Sequence, residues 1–408
     1  MTPEVSDTGR RNLRLIVIGQ GVSYLGDYLA FFLALPVFVR DRTESAESLG
    51  LLFAAETAAI LIFGFIAGVL LDRAHLKRAV VLADLARALA FGLLALAVVS
   101  DVEATWMAFA VAFLVGSMGT VFDAGLQSYM PVVLRDEALP TANAGIEFVR
   151  SLAMTLGFMA GGLVIAWSGG IAGAFALDSA TYLVSVLALL AVREIRPRAR
   201  APHEPAMKAL TSGVAHLWHT RPLRWATAAA AVTNFAFAPL VAVMTLYAKV
   251  ELGIVDDRLL GVFFAIFSAI GAVGGVMAAV IMRRLGLGRS VILGGFLFGM
   301  GALAAGLVDG WWAVAPFGIA TAGVAVNQAA FVTLRQRLTP PDRLGRVVAA
   351  SRTIAFTGLP LGAYFGAVLG DAVGLRPLFI ASGTIITVVS LLLVTGPLGN
   401  RGVTLSRL

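Results

Sequence analysis

Twelve stretches of this chain are long and apolar enough to cross a bilayer, which takes about 20 residues in a helix. They run approximately over 15–39, 48–71, 79–100, 105–130, 142–167, 171–192, 223–248, 259–282, 290–308, 312–332, 347–370 and 375–396. The rest of the composition agrees. Of the 408 residues, 59% are hydrophobic and 13% charged, against about half and a quarter in soluble domains. The first stretch follows Arg10, Arg11 and Arg14. It is about 25 residues long, too long for the apolar region of a signal peptide, and no small-residue cleavage site follows it. It reads as the first membrane span. The expected fold is an all-α membrane protein of twelve transmembrane helices.

The longest polar interruption is 193–222, after six spans. This divides the chain into a six-helix half over 1–192, a cytoplasmic linker over 193–222 and a second six-helix half over 223–408. Within the linker, Met207 to His219 is patterned as a short amphipathic surface helix. His216 and His219 share a face there, but no third ligand accompanies them, so no metal site is expected. The net charge of +7 belongs to loops rather than to a nucleic-acid surface. Arg73, Lys77, Arg78, Arg135, the arginines of 193–224, Arg283, Arg284, Arg289, Arg335, Arg337, Arg343 and Arg346 fall on one side. Only Arg40, Arg42, Lys249, Arg258 and Arg376 fall on the other. The positive-inside rule then places both termini in the cytosol and the chain, multi-pass, in the cytoplasmic (inner) membrane. With no cysteine, disulfide and thiol chemistry are excluded.

"GVLLDRAHLKRAVVLADLAR" (Gly68 to Arg87) concentrates Asp72, Arg73, Lys77, Arg78, Asp84 and Arg87 in twenty residues. A plain basic loop accounts for Arg73, Lys77 and Arg78. It does not account for Asp84 and Arg87, which stand three apart on one helical face and are placed to pair. Arg87 lies about 12 Å into the third span at 1.5 Å per residue, where a lone charge costs several kcal/mol. The loop resembles the signature of the major facilitator superfamily, roughly G-x-L-a-D-R-x-G-R-R/K, at Gly68, Leu70, Asp72, Arg73 and Lys77. It departs at His75 and Leu76. "LPTANAGIEFVRS", "LDSATYLVS", "RLTPPDRLGRVVA" and "GLPLGAYFGAVLGDAVGLRPLF" are similar to the drug:proton antiporter branch that holds macrolide and tetracycline (Tap-like) efflux proteins and siderophore exporters. The resemblance implies a cytoplasmic gate at Gly68, Asp72, Arg73, Lys77, Arg78, Asp84 and Arg87, with Asp72 acting as a latch. Asp123, near the cytoplasmic end of the fourth span, joins that gate.

Two further carboxylates lie inside spans. Asp27 is about 18 Å along the first helix, and a carboxylate at mid-bilayer is disfavoured by about 2.5–3.5 kcal/mol. Glu56 is about 12 Å into the second helix. Both are assigned to proton coupling, Asp27 foremost. Glu147 and Arg150, three apart in the fifth span, are expected to form an intramembrane ion pair. Asp178 and Arg352 receive no role. By resemblance, spans one, four, seven and ten surround a central cavity. That makes Asn234, Asn327 and Gln328 polar substrate contacts, and Phe31, Phe32, Phe235 and Phe237 an apolar wall. Gly157 and Gly161 have the small-residue spacing of close helix contacts, while Phe158 stands where the antiporter pattern has proline.

No G-x-x-x-x-G-K-[ST] phosphate loop is present, and no nucleophile, base or metal cluster stands out, so neither an ATP-driven pump nor an enzyme is expected. The reading is a secondary active transporter: a proton-coupled multidrug exporter of hydrophobic or amphiphilic small molecules, working by alternating access. A lipid or siderophore exporter of the same fold is the alternative. Its partners are then a drug-like or lipid-like amphiphile, protons and membrane lipid, with no nucleic acid and no cofactor, and the chain is read as a monomer.

Overall fold

The computed structural model describes residues 3–102, 105–135, 138–167, 170–195, 206–340 and 344–399. These residues are helical with short connections, and among them no strand occurs. In chain order the helices are α1 (Pro3–Gly26), a π-helical segment (Asp27–Ala34), α2 (Leu35–Thr43), α3 (Ala46–Arg73), α4 (Leu76–Val99), α5 (Thr105–Val133), α6 (Leu139–Trp167) and α7 (Ile171–Ala191). Then come α8 (Ala206–His219), α9 (Arg221–Ala242), α10 (Met244–Val250), α11 (Asp257–Leu285), α12 (Leu287–Ala305), a 3₁₀ turn (Gly310–Ala313), α13 (Val314–Leu338), α14 (Leu344–Phe356), α15 (Gly358–Val373) and α16 (Leu375–Leu392). They supply twelve helical spans of membrane-crossing length and composition. α8 occupies the stretch patterned as an amphipathic surface helix.

Several helices outrun their apolar stretches. The first begins at Pro3 and the tenth span continues to Leu338, because hydropathy marks the part that meets lipid and not the end of the hydrogen-bond ladder. Prolines set the breaks. The Leu35 N–H reaches five residues back to the Ala30 carbonyl, and Pro36 follows. In an α-helical ladder its ring would meet the Phe32 carbonyl; the wider π turns relieve that clash. Pro239 removes the N–H that Phe235 would accept, and α9 ends at Ala242. Pro360 does the same to Phe356, and the eleventh span breaks at Thr357.

The chain forms two compact units. The first is Met1–Thr43, Ala55–His203 and Asp256–Ala265. Its main core gathers Ile16, Leu71, Val80, Tyr129, Val133 and Leu189. Asp257 belongs here because Arg40, 2% exposed, donates to it at 3.0 Å and to Asp41 at 2.7 Å. The second unit is Glu44–Ala54, Glu204–Val255 and Ile266–Leu408. One core gathers Leu223, Val291, Phe331, Val347 and Leu393; a smaller one joins Ala236, Phe298, Ala320 and Ile386. The first turn of α3 belongs here because Asp371 of α15 caps it. That carboxylate accepts the N–H groups of Ala46 (2.9 Å) and Glu47 (2.8 Å) and the Ser45 hydroxyl (3.2 Å). Outward faces are apolar, as lipid requires: Leu82, Leu89, Leu93 and Leu96 form an exposed stripe along α4.

Candidate functional site

The first unit holds a polar cluster in the middle of its apolar helices. α4 brings Asp84 and Arg87, one turn apart. α7 brings Asp178, Thr181, Tyr182 and Ser185, whose spacing of three and four puts them on one face. α1 brings Gln20, and Asp27 opens the π segment. Gly26 makes the meeting of α1 and α7 possible. A β-carbon there would stand 2.1 Å from both Asp178 Oδ1 and Thr181 Oγ1. Gly157 and Gly161 let α6 lie as closely on the other side, with β-carbon positions 2.7 Å from Tyr28 Cβ and 2.9 Å from Leu33 Cδ2.

Hydrogen bonds tie the cluster together. Arg87 Nη2 donates to Asp84 Oδ1, as the spacing of these residues predicts. Ser185 donates to Asp84 Oδ2 at 2.6 Å and accepts from Gln20 Nε2 at 3.2 Å. The Tyr182 hydroxyl donates to Asp27 Oδ1. The Arg87 guanidinium lies between two rings, 4.7 Å from Phe122 and 4.5 Å from Tyr182. Asp84 and Asp178 are fully buried, Arg87 is 6% exposed, and Asp27 is half-buried. Asp178 Oδ1 accepts from Thr181 at 3.0 Å, while its Oδ2 and Arg87 Nε have no hydrogen-bond partner among the described residues.

The chemistry follows from the charge count. Three carboxyls (Asp27, Asp84, Asp178) share one guanidinium. Fully ionised, they leave two uncompensated negative charges in a medium where an unpaired charge costs several kcal/mol. Each bound proton removes one of them. Glu56, half-buried on α3, lies within electrostatic reach of Asp27. Its side chain makes no hydrogen bond or ion pair among the described residues. Among the described residues no three His, Cys, Asp or Glu side chains are arranged to hold a metal.

Of the gate residues, the side chains of Gly68, Asp72 and Arg73 lie outside the described residues. Lys77 caps the end of α7, donating to the carbonyls of Leu190 (2.9 Å) and Val192 (2.8 Å), and Arg78 is exposed. Asp84 and Arg87 join Asp27 and Tyr182. Asp123 is exposed and lines a cavity of about 400 Å³ with Tyr24, Gln127, Met130, Ile146 and Arg150. Arg150 donates to the Tyr24 hydroxyl at 2.7 Å and lies 4.6 Å from its ring. The Glu147 side chain lies outside the described residues.

The expected apolar wall divides. Phe31 is buried against Phe91, so its ring belongs to the core. Phe32 and Phe235 are exposed. Phe237 is partly buried, with its ring 5.1 Å from that of Phe298. In the second unit Asn234 donates to the Ala355 carbonyl (2.9 Å) and Asn327 to that of Val291 (2.8 Å). These amides tie helices together. Gln328 is exposed. Phe158 leaves α6 unbroken from Leu139 to Trp167 and meets the rings of Tyr28 and Phe264. His216 Nε2 lies 3.3 Å from the Leu338 carbonyl.

Asp178, Tyr182, Ser185 and Gln20 escaped sequence reasoning. Asp178 carried the same signal as Asp27, a carboxyl inside an apolar span. The others are polar residues of ordinary frequency, and only the rotation of α7 against α1 and α4 reveals them.

The chain has twelve helices of membrane-crossing length and composition, and its first unit holds a buried polar cluster. The profile of the Major Facilitator Superfamily matches residues 16–363, and the chain belongs to that family. It is 25% identical over 390 residues to the multidrug efflux pump Tap of Mycolicibacterium fortuitum, covering 92% of this chain and 93% of that one. It is 22% identical to macrolide efflux protein A of Streptococcus pyogenes, over 91% and 93% of the two chains. Among solved structures it resembles a point mutant of the nucleoside transporter NupG, with TM-score 0.73, 13% identity and coverage of 94% and 99%. It also resembles a bacterial homologue of the iron transporter ferroportin, with TM-score 0.72, 15% identity and coverage of 94% and 98%.

Proposed function

We propose that this transporter is a secondary active exporter of hydrophobic or amphiphilic small molecules, driven by protons moving the opposite way through alternating access. The observation that carries the reading is Asp27. It is half-buried where the helix widens into π turns, and a neutral phenol holds it rather than a cation. π turns interrupt helices frequently at functional sites. Its neighbours already include more carboxyls than cations, so a proton on Asp27 relieves repulsion and its loss restores it. Glu56 assists from α3. The names of the two efflux relatives agree with export.

On this reading the protein is a monomer in the cytoplasmic membrane with both termini and the basic loops in the cytosol, and 193–222 links halves over 1–192 and 223–408. Asp72 holds the cytoplasmic gate closed. A proton entering down 100 mV supplies about 2.3 kcal/mol, enough to move substrate against roughly a fiftyfold gradient. The test is efflux of a panel of macrolides and other amphiphiles from proteoliposomes, with and without an imposed pH gradient. Wild-type efflux should accelerate with the gradient, and the Asp27→Asn variant should still bind neutral compounds but lose that acceleration. A variant that responds like wild type makes Asp27 structural and leaves Glu56 as the coupling group.

A further inference from the structure

Asp178 is the buried carboxyl that the scheme above does not use. Its side chain is fully buried. Among the described residues its only donor is the Thr181 hydroxyl, 3.0 Å from Oδ1, and that hydroxyl also lies 2.8 Å from the Asp178 carbonyl oxygen. One hydrogen therefore serves two acceptors. The Oδ2 atom has no hydrogen-bond partner among the described residues.

The charged and titratable groups around it are engaged elsewhere. From α4, Arg87 is bound to Asp84. On α7 itself, Tyr182 is bound to Asp27, which the π segment brings up beside Gly26. From α6, Arg150 is turned to Tyr24. No cation pairs with Asp178 among the described residues.

Structural carboxylates in this protein look different. Asp371 accepts three donors, and Asp84 has an arginine and a serine. Asp178 is satisfied in neither protonation state. Ionised, it is a buried charge supported by half a hydroxyl, which costs far more than that hydrogen bond returns. Protonated at Oδ2, it has an O–H with no acceptor; protonated at Oδ1, it can donate to Thr181 while that hydroxyl serves the Asp178 carbonyl, but Oδ2 is then left without a donor among the described residues. A residue kept only to hold helices together would be expected to complete one of these states.

We infer that Asp178 is a second proton-carrying carboxyl of this site, so that each transport cycle exchanges two protons, one at Asp27 and one at Asp178. The inference rests on the proton-driven reading. Asp178 is the deep member and Asp27 the half-buried one. Tyr182 stands one turn beyond Asp178 on α7, with its hydroxyl on Asp27. Each carboxyl takes one proton from one side of the membrane and returns it to the other, and the charge carried by the cluster changes by two.

The experiment needs no known substrate. Infrared difference spectra of the reconstituted full-length protein are recorded between acidic and alkaline buffer, for wild type, Asp27→Asn and Asp178→Asn. Asparagine is isosteric and keeps an acceptor for Thr181. Wild type should show two protonated-aspartate carbonyl bands that disappear in alkali, each single variant losing one. An Asp178→Asn spectrum identical to wild type overturns the inference. Should that variant fail to insert, Asp178→Glu keeps the carboxyl, and its band must move to the glutamate position; a band that stays put overturns the inference as well.

A second arm measures erythromycin accumulation in everted vesicles under one unit of imposed pH difference, where each coupled proton is worth about tenfold. Two protons give about a hundredfold in wild type and one gives about tenfold in Asp178→Asn. Equal accumulation in the two overturns the two-proton cycle. Wild-type accumulation indifferent to the gradient overturns the proton-driven reading itself, while the infrared arm still decides whether Asp178 titrates.

Discussion

Gly26 is the position at which the geometry of the cluster is most exposed to a single methyl group. In Gly26→Ala the added carbon would stand 2.1 Å from Asp178 Oδ1, 2.1 Å from Thr181 Oγ1 and 3.1 Å from Thr181 Cβ. Non-bonded contacts settle near roughly 3.5 Å, so α1 and α7 must part by over an ångström or both side chains must leave their rotamers. Overpacking of this kind costs about 1–3 kcal/mol. The upper end is expected, because both displaced oxygens are buried and the Thr181–Asp178 hydrogen bond is strained with them. The assay is thermal unfolding of the detergent-solubilised protein, followed by its monodisperse fraction, with pH-gradient-driven efflux measured in parallel. The control is Gly64→Ala. Nothing lies within 4 Å of a β-carbon there, and alanine in a helix interior gains up to about 1 kcal/mol over glycine. Gly26→Ala should lower the unfolding temperature by several degrees and impair transport, while Gly64→Ala should leave both unchanged or raise stability. Adding Thr181→Ala to Gly26→Ala removes one of the two collisions and should recover part of the loss. Equal behaviour of the two glycine variants would refute the argument from close approach.

The remaining predictions concern two other contacts. Arg87→Ala leaves Asp84 buried without its cation and should cost about 3–5 kcal/mol of stability, most of it recovered in Asp84→Ala/Arg87→Ala; a double variant as damaged as the sum of the singles would deny that the two act as a pair. Asp371→Ala removes the cap from the first turn of α3 and should cost about 0.5–2 kcal/mol, read as faster hydrogen exchange at residues 46–49 with the rest of the helix unchanged.

The twelve spans were legible because a bilayer asks one thing of a helix, about 20 apolar residues, and that is a property of sequence alone. Their true ends were not. Residues 3–14 and 333–338 are polar enough to look like loops yet continue the helices. Asp27, Asp84 and Arg87 were legible as charges where charges are costly, and the three-residue spacing predicted the Asp84–Arg87 pair. What faces them was not legible. Gln20 and Ser185 are 165 residues apart, and nothing local to either tells how α7 is rotated. The amides of Asn234 and Asn327 were marked as substrate contacts because, by resemblance, their spans line the cavity. In this structure both amides donate to backbone carbonyls of neighbouring helices, which no local pattern foretells. The capping of α3 by Asp371 and the Arg40–Asp257 pair likewise depend on where distant helices end.

The cluster also assigns its members unequal parts. Asp84 is bound by the one guanidinium and by a serine hydroxyl. Neutralising Asp84 would strand Arg87 in low dielectric, a loss of about 3–5 kcal/mol on the scale of broken buried pairs. Asp27 is bound by a phenol, a hydrogen bond worth about 0.5–1.5 kcal/mol net, or up to about 3 kcal/mol to a charged group. The phenol oxygen is also an acceptor and turns to serve the protonated acid as readily as the ion. On the proton-driven reading a proton then arrives at and leaves Asp27 with little structural penalty, while Asp84 holds Arg87 between the rings of Phe122 and Tyr182. That fixed cation keeps the Tyr182 ring in place, and the ring aims the hydroxyl at Asp27. On the proton-driven reading the pair that looks most like a gate is thus the scaffold of the coupling site. Arg87→Lys should then keep the charge but lose the planar stacking, so that Asp27 loosens and pH-gradient-driven efflux falls more than thermal stability does. Full transport in Arg87→Lys would show that the positive charge alone suffices and would remove the scaffold role.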